Sequence, residues 1–157
     1  MAFIRVAISL GSNLGDRRAQ LEYAVDALQL DLADVVVSRF LETQPMGVGP
    51  EHGVFLNAAV VGVTALSARL LMERLLEIEE ERGRVRPYLG APRTLDADLL
   101  LYGDQMIEEH GLSVPHPRLR ERTFVLRPLA EIAPDMIDPA TQKTIAELLV
   151  AQGDDRI

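Results

Sequence analysis

Asp96 and Asp98 stand two residues apart at the head of an unbroken apolar run, Leu99-Leu100-Leu101-Tyr102. A β-strand points residues i and i+2 to the same face, so this spacing sets two carboxylates side by side. Like charges at that range repel, and burial disfavours ionisation further. Three arrangements relieve the pair: one carboxyl keeps its proton, arginines neutralise both, or a divalent cation sits between them. Magnesium binds through one or two protein carboxylates, keeps water, and fills its shell with substrate phosphates. No histidine accompanies the pair at ligand spacing, which disfavours zinc. The plainer alternative is a structural pair that caps a turn and is salt-bridged to Arg93.

The cations point the same way. Of 16 basic residues only Lys143 is a lysine, and eight arginines fall between Arg82 and Arg127. A guanidinium offers a planar fork of donors suited to phosphate or carboxylate. Pairing with the many glutamates would also account for them, but their spread along loop-like segments favours a phosphate site. Two aspartates around a cation, with arginines on two loops, suggest chemistry on a nucleoside triphosphate. The segment GSNLGD at 11–16 is too short for a G-x-x-x-x-G-K-[ST] phosphate loop and lacks its lysine.

Several classes drop out. The formal net charge of −8 argues against a general nucleic-acid binder. The absence of cysteine excludes disulfides, thiolate metal sites and a thiol nucleophile. No apolar run reaches membrane-spanning length, and the first residues enter a strand pattern directly rather than a leader. A cytoplasmic protein without membrane or nucleic-acid partners is expected. With 157 residues, 48% hydrophobic and 25% charged, residues 1–157 have the size and composition of a single globular domain.

The elements that must position these residues are legible from periodicity. Residues 3–10 alternate as a strand and end in the GSNLGD turn. Asp16 is placed to cap a helix with the stripe Leu21, Ala24, Val25, Leu28. Residues 35–41 are β-branched and strand-like, and residues 54–64 form a second long strand. Ser67 caps a helix with the stripe Ala68, Leu71, Met72, Leu75, Ile78, closed by Gly83. The strand bearing the aspartates follows. Residues 105–107 suggest a hairpin strand, and residues 124–132 and 144–150 suggest short helices. Strand, helix, strand, strand, helix, strand is the βαββαβ plan of an α+β, ferredoxin-like fold: an antiparallel sheet with helices on one face. The C-terminal third is then a helical and hairpin appendage. Between the strands lie TQPMGVGPEHG at 43–53 and RVRPYLGAPR at 84–93, glycine- and proline-rich loops whose closure would exclude water.

The stretch APRTLDADLLLYG resembles the signature of the 6-hydroxymethyl-7,8-dihydropterin pyrophosphokinase family, Gly-Pro-Arg-Thr-Leu-Asp with a second Asp two residues on. Further blocks resemble the same family in the same order: ISLGSNLGDR, ETQPMG, FLNAAV, IEEERGRVR and VPHPRLRERTFVLRPLAEIAPD. Together they cover about residues 4–140. The resemblance implies transfer of a pyrophosphoryl group from ATP to the hydroxymethyl of a dihydropterin, releasing AMP, in folate biosynthesis. It also implies a ferredoxin-like fold and small-molecule substrates, and a monomer is expected. By position it implies that Asp96 and Asp98 hold two magnesium ions against the triphosphate, with Asp96 also at the pterin. Arg84 and Arg93 would grip the phosphates with help from Arg86, and His116 and Arg122 would contact ATP. Glu79 would support the adenine and loop side, although an i,i+3 pair with Arg82 would explain it equally well. Phe55 and Phe124 would stack on the pterin, Asn57 would read its edge, and Thr43, Pro45 and Met46 would line the loop beside it. Ordinary core packing is the commoner role of phenylalanine, and a buried amide satisfying backbone that of Asn57. The chain departs from the pattern at Ala91, where the family has glycine, at Gln44, where it often has proline, and at Pro117, where some members carry tyrosine. Tyr88 falls earlier than the family's loop aromatic.

Overall fold

The computed structural model describes residues 3–13, 15–43, 54–82 and 95–153. Strand β1 (Ile4–Ser12) runs through the centre of the main sheet and leads into helix α1 (Arg17–Asp31). The Asp16 side chain accepts the Ala19 N–H at 3.1 Å, satisfying one of the free donors at the helix start. Two short strands follow, β2 (Ala33–Val37) and β3 (Leu41–Thr43), both antiparallel to β4 (Phe55–Thr64). Helix α2 (Ala68–Glu81) starts where Ser67 Oγ accepts the Leu70 N–H at 3.1 Å. Strand β5 (Asp96–Tyr102) then returns beside β1. The resulting order is β2-β4-β1-β5, antiparallel throughout, with β3 continuing the β2 edge of β4.

Alternation assigns the two faces. Val6, Ile8 and Leu10 of β1, Leu56, Ala58 and Val60 of β4, and Ala97 and Leu99 of β5 form one cluster with the apolar stripes of α1 and α2. The intervening residues Ala7, Ala59, Val61, Leu100 and Leu101 form a second cluster, packed against helix α3 (Thr123–Ile132) and helix α4 (Ile145–Ala151). So α1 and α2 share a face as expected, but the expected appendage is a third layer on the other face. This explains the continuous apolar run of β5, because a strand buried on both faces loses its alternation. Leu99 opposes Ile8 while Leu101 opposes Ala7, leaving Leu100 as the extra residue of a β-bulge.

The single strand expected over 35–41 is interrupted. At the break Ser38 N–H bonds Ala59 O at 2.9 Å and Ser38 Oγ accepts the Ala59 N–H at 2.8 Å. A side chain thus replaces one ladder carbonyl, and Arg39 turns outward to donate to Glu131 of α3 at 3.1 Å. The expected hairpin strand at 105–107 lies slightly later, as β6 (Ile107–Glu109) paired with β7 (Leu112–Val114) around Gly111 at φ 73°. A 3-10 turn (Leu119–Glu121) precedes α3, and a small hairpin, β8 (Ile137–Asp138) and β9 (Lys143–Thr144), precedes α4. Among the described residues no helix is long and apolar enough to cross a membrane.

Candidate active site

The second face of the sheet is covered by α3 only along part of its length. Beyond Ala7, the face-sharing residues of β1 are Ser9 and Gly11, the smallest available, and they leave a hollow. Register places polar groups on both sides of it. Gly11 lies opposite Asn57 on β4 and opposite Asp96 on β5. One row along, Ser9 lies opposite Asp98. A side chain at Gly11 would intrude, since a Cβ there would meet Asn57 Oδ1 at 3.1 Å. The cavity over this floor holds about 480 Å³. Its β4 side carries Phe55 and Asn57, with Thr43 from β3. Its far wall comes from the 3-10 turn and the start of α3, where Arg118, Glu121, Arg122 and Phe124 face the aspartates.

Individual groups are held firmly. The Asn57 amide is 3% exposed and donates to the Thr43 hydroxyl. This orients the amide rather than merely burying it. Arg122 lies over the Phe124 ring, 5.6 Å from its centroid, a cation–π distance. Arg118 Nε donates to Glu121 Oε1 at 2.9 Å along the rim. His116 is pinned twice: its N–H donates to Leu100 O at 2.9 Å, and its Nδ1 accepts the Arg118 N–H at 3.2 Å. A neutral ring so bonded carries its proton on Nε2. Burial pushes the His116 imidazole below its ordinary range, Asp98 opposes that shift, and Arg122 and Arg118 add to it.

Glu79, expected to support the adenine and loop side, also reaches the strand that carries the aspartates. It is 3% exposed on α2, and its Oε2 accepts the Ala97 N–H at 2.8 Å. Ala97 is the residue between the two aspartates, on the strand that forms the sheet's edge. Arg82, the other partner considered for Glu79, donates from Nε to Gln20 at 2.7 Å and stacks over Tyr23.

The structure therefore brings together Thr43, Phe55, Asn57, Asp96, Asp98, Arg122 and Phe124 around one cavity, with His116 in the electrostatic reach of Asp98. Arg84, Arg86, Arg93, Pro45, Met46 and Tyr88 lie outside the described residues. Sequence reasoning did not single out Ser9, Gly11, Arg118 or Glu121. A glycine ending a central strand and the Arg-x-Arg-x-Arg spacing at 118–122 were the available signals. Among the described residues no three acidic, histidine or cysteine side chains group into a closed metal cluster. Two carboxylates on one strand face beside arginines suit a magnesium ion that keeps water and phosphate ligands, and do not suit a closed zinc site.

The model of the family described as 7,8-dihydro-6-hydroxymethylpterin-pyrophosphokinase matches residues 7–134. The chain is similar to the 2-amino-4-hydroxy-6-hydroxymethyldihydropteridine pyrophosphokinase of Synechocystis sp., 41% identical over 143 residues, covering 90% of this chain and 73% of the relative. It is similar to the enzyme of the same name from Bacillus subtilis, 46% identical over 136 residues, covering 85% of this chain and 81% of the relative. Among solved structures it resembles wild-type Plasmodium falciparum HPPK-DHPS with a TM-score of 0.76 at 15% identity, a likeness of fold. That match covers 96% of this chain and 45% of the Plasmodium chain, so this chain spans under half of the longer protein.

Proposed function

The chain belongs to the 7,8-dihydro-6-hydroxymethylpterin-pyrophosphokinase family, and from that premise we propose how its residues divide the work. The activity is pyrophosphoryl transfer from ATP to the hydroxymethyl of 6-hydroxymethyl-7,8-dihydropterin, releasing AMP, in folate biosynthesis. One observation carries the assignment of residues: the row Asn57–Gly11–Asp96, with Ser9–Asp98 beside it, facing Arg118 and Arg122 across a single cavity.

A pterin is flat, apolar on its faces and polar along its edge. Phe55 and Phe124 supply apolar surface for the faces, and the fixed Asn57 amide reads the edge. Thr43 lines that side, and Pro45 and Met46 are assigned to pterin contact with it. A ring seated on Asn57 directs its hydroxymethyl along the row, over Gly11, toward Asp96. Asp98 and the arginine wall then take the triphosphate side. Asp96 and Asp98 are the residues that would hold two magnesium ions with ATP, which when bound offset the triphosphate charge and lower the pKa of a coordinated hydroxyl. Arg84 and Arg93, assisted by Arg86, grip the phosphates, and Arg122 adds positive charge from the wall facing the aspartates. His116 offers Nε2–H to the nucleotide, since its Nδ1 is already occupied by the Arg118 N–H. Attack is in line at the β-phosphorus, so the residues contribute mainly positioning and charge stabilisation.

We also read the architecture as ferredoxin-like. With β2 and β3 taken as one interrupted strand, the order and the shared face of α1 and α2 support a βαββαβ plan. Both apolar clusters share one sheet, which supports residues 1–157 as a single pyrophosphokinase domain.

AMP formation from ATP and magnesium, measured with and without the pterin alcohol, tests the reading. Pterin-dependent AMP that disappears on chelation is expected. Pyrophosphate release, or AMP formed regardless of chelator, overturns the magnesium and β-phosphorus assignments. Asp96→Ala and Asp98→Ala are each expected to cost roughly a hundredfold in kcat, on the order of 3 kcal/mol. A folded variant with undiminished turnover removes the acidic pair from the mechanism.

A further inference from the structure

Asp138, in the small hairpin before α4, is the most completely buried acidic side chain described, at 0% exposure. Its carboxylate accepts three hydrogen bonds among the described residues. Oδ2 accepts Arg120 Nε at 2.7 Å and the Thr141 hydroxyl at 2.9 Å, and Oδ1 accepts the Ala140 N–H at 3.0 Å. Its backbone carbonyl accepts the Gln142 N–H at 2.8 Å and closes the hairpin turn. A carboxylate tied to its own hairpin by this many bonds is a fixed point.

Arg120 is the residue held to that point, and its place in the chain gives the contact meaning. It is the centre of the 3-10 turn Leu119–Glu121. On either side stand Arg118, Glu121 and Arg122, which form the far wall of the cavity. Arg120 itself does not line the cavity. Among the described residues the turn has two side-chain anchors to the rest of the fold: Leu119, 1% exposed in the second apolar cluster, and Arg120 on Asp138. An apolar anchor resists withdrawal but not rotation, whereas a guanidinium bonded through Nε fixes a direction. Arg122 follows the turn directly and heads α3, so the turn's orientation sets where its backbone enters the wall.

We infer that Asp138 is a positioning residue for the nucleotide side of the site, acting through Arg120 to aim Arg118 and Arg122 at the cavity. This gives the C-terminal hairpin a part in binding although none of its residues reaches the cavity. The inference rests on the reading above that the arginine wall faces ATP.

Four variants of the full chain separate the possibilities. In Asp138→Asn one amide hydrogen must face either Arg120 Nε or the Ala140 N–H, whichever way the amide is turned, so one donor meets another. Arg120→Met removes the clamp from the other side and reaches the question even if Asp138→Asn does not fold. Both are expected to raise the KM for ATP about tenfold, with pterin binding unchanged, and the double variant is expected to be no worse than either single one. An unchanged KM for ATP in folded Asp138→Asn or Arg120→Met, with only a lower Tm, makes the contact merely structural and overturns the inference. Arg122→Ala is the control: if it too leaves the KM for ATP unchanged, the reading of the wall has failed, and not the positioning step.

Discussion

A carboxyl group that reaches from a helix to the edge of a strand has two things to offer, an acceptor and a charge, and Glu79 allows them to be separated. Its Oε2 accepts the N–H between Asp96 and Asp98, at a sheet edge where, among the described residues, no further strand takes that donor. An orphaned buried N–H costs about 1–3 kcal/mol. The same bond fixes the local backbone from which both aspartates project. Glu79→Gln keeps an acceptor of the same reach, so it is expected to retain kcat within about threefold, the residual effect of a modest rearrangement. Glu79→Leu removes the acceptor, so it is expected to lower both Tm and kcat and to raise the magnesium concentration needed for half-maximal rate. Steady-state kinetics across a magnesium titration distinguish these outcomes. A large loss in Glu79→Gln would instead assign the work to the charge. The sequence placed Glu79 at the edge of a helical stripe, but whether such a side chain turns to ligand, helix or strand depends on a tertiary contact that periodicity does not contain. Asp138 was silent for the same reason: its partner Arg120 is close in space but 18 residues away in sequence, outside any pattern along its own short strand.

Gly11 belongs to the scale of elements, because its effect is defined by three strands at once. It is the low point of a row whose ends are Asn57 and Asp96. A methyl at Gly11 would press on Asn57 Oδ1 from 3.1 Å, and Asn57 is 3% exposed with its amide already committed to Thr43. Asn57 can yield only by tilting its amide. Gly11→Ala is therefore expected to raise the KM for the pterin about tenfold while leaving ATP affinity, measured by calorimetry with a non-hydrolysable analogue, within about twofold. Equal losses for both substrates would mean that the row is not divided as proposed. Long amphipathic elements were read correctly from spacing: α1 and α2 begin at the caps expected, Asp16 and Ser67, and bury the expected stripes. The break in the strand over 35–41 was not legible, because Ser38 Oγ substitutes for a backbone partner and leaves the hydrophobic pattern intact. Strands of two or three residues, such as β8 and β9, are too short to carry a period at all.

At the scale of the whole molecule the sheet is shared property. Its first face is closed by α1 and α2, its second by α3 and α4, and the cavity occupies the stretch of the second face that α3 leaves open. The wall of the site and the lid of the second core are thus one piece of chain, and a loosened core should be felt in the first layer as well. Leu129 of α3 is 0% exposed in the second cluster. Leu129→Ala is expected to cost about 2–5 kcal/mol through lost transfer energy and the cavity left behind. At this chain length that is a fall in Tm of roughly 5–15 °C. The described tyrosines report on the other layer: Tyr102 belongs to the first cluster and Tyr23 packs against it, and the chain has no tryptophan to confuse the signal. Thermal unfolding followed by tyrosine near-ultraviolet dichroism and by far-ultraviolet helix signal should shift together in Leu129→Ala, because the strands between the layers belong to both cores. If the helix signal falls first while the tyrosine transition stays at its original temperature, the α3–α4 layer melts on its own. The far wall of the cavity would then be a separable unit resting on the sheet rather than part of the fold that carries Asp96 and Asp98.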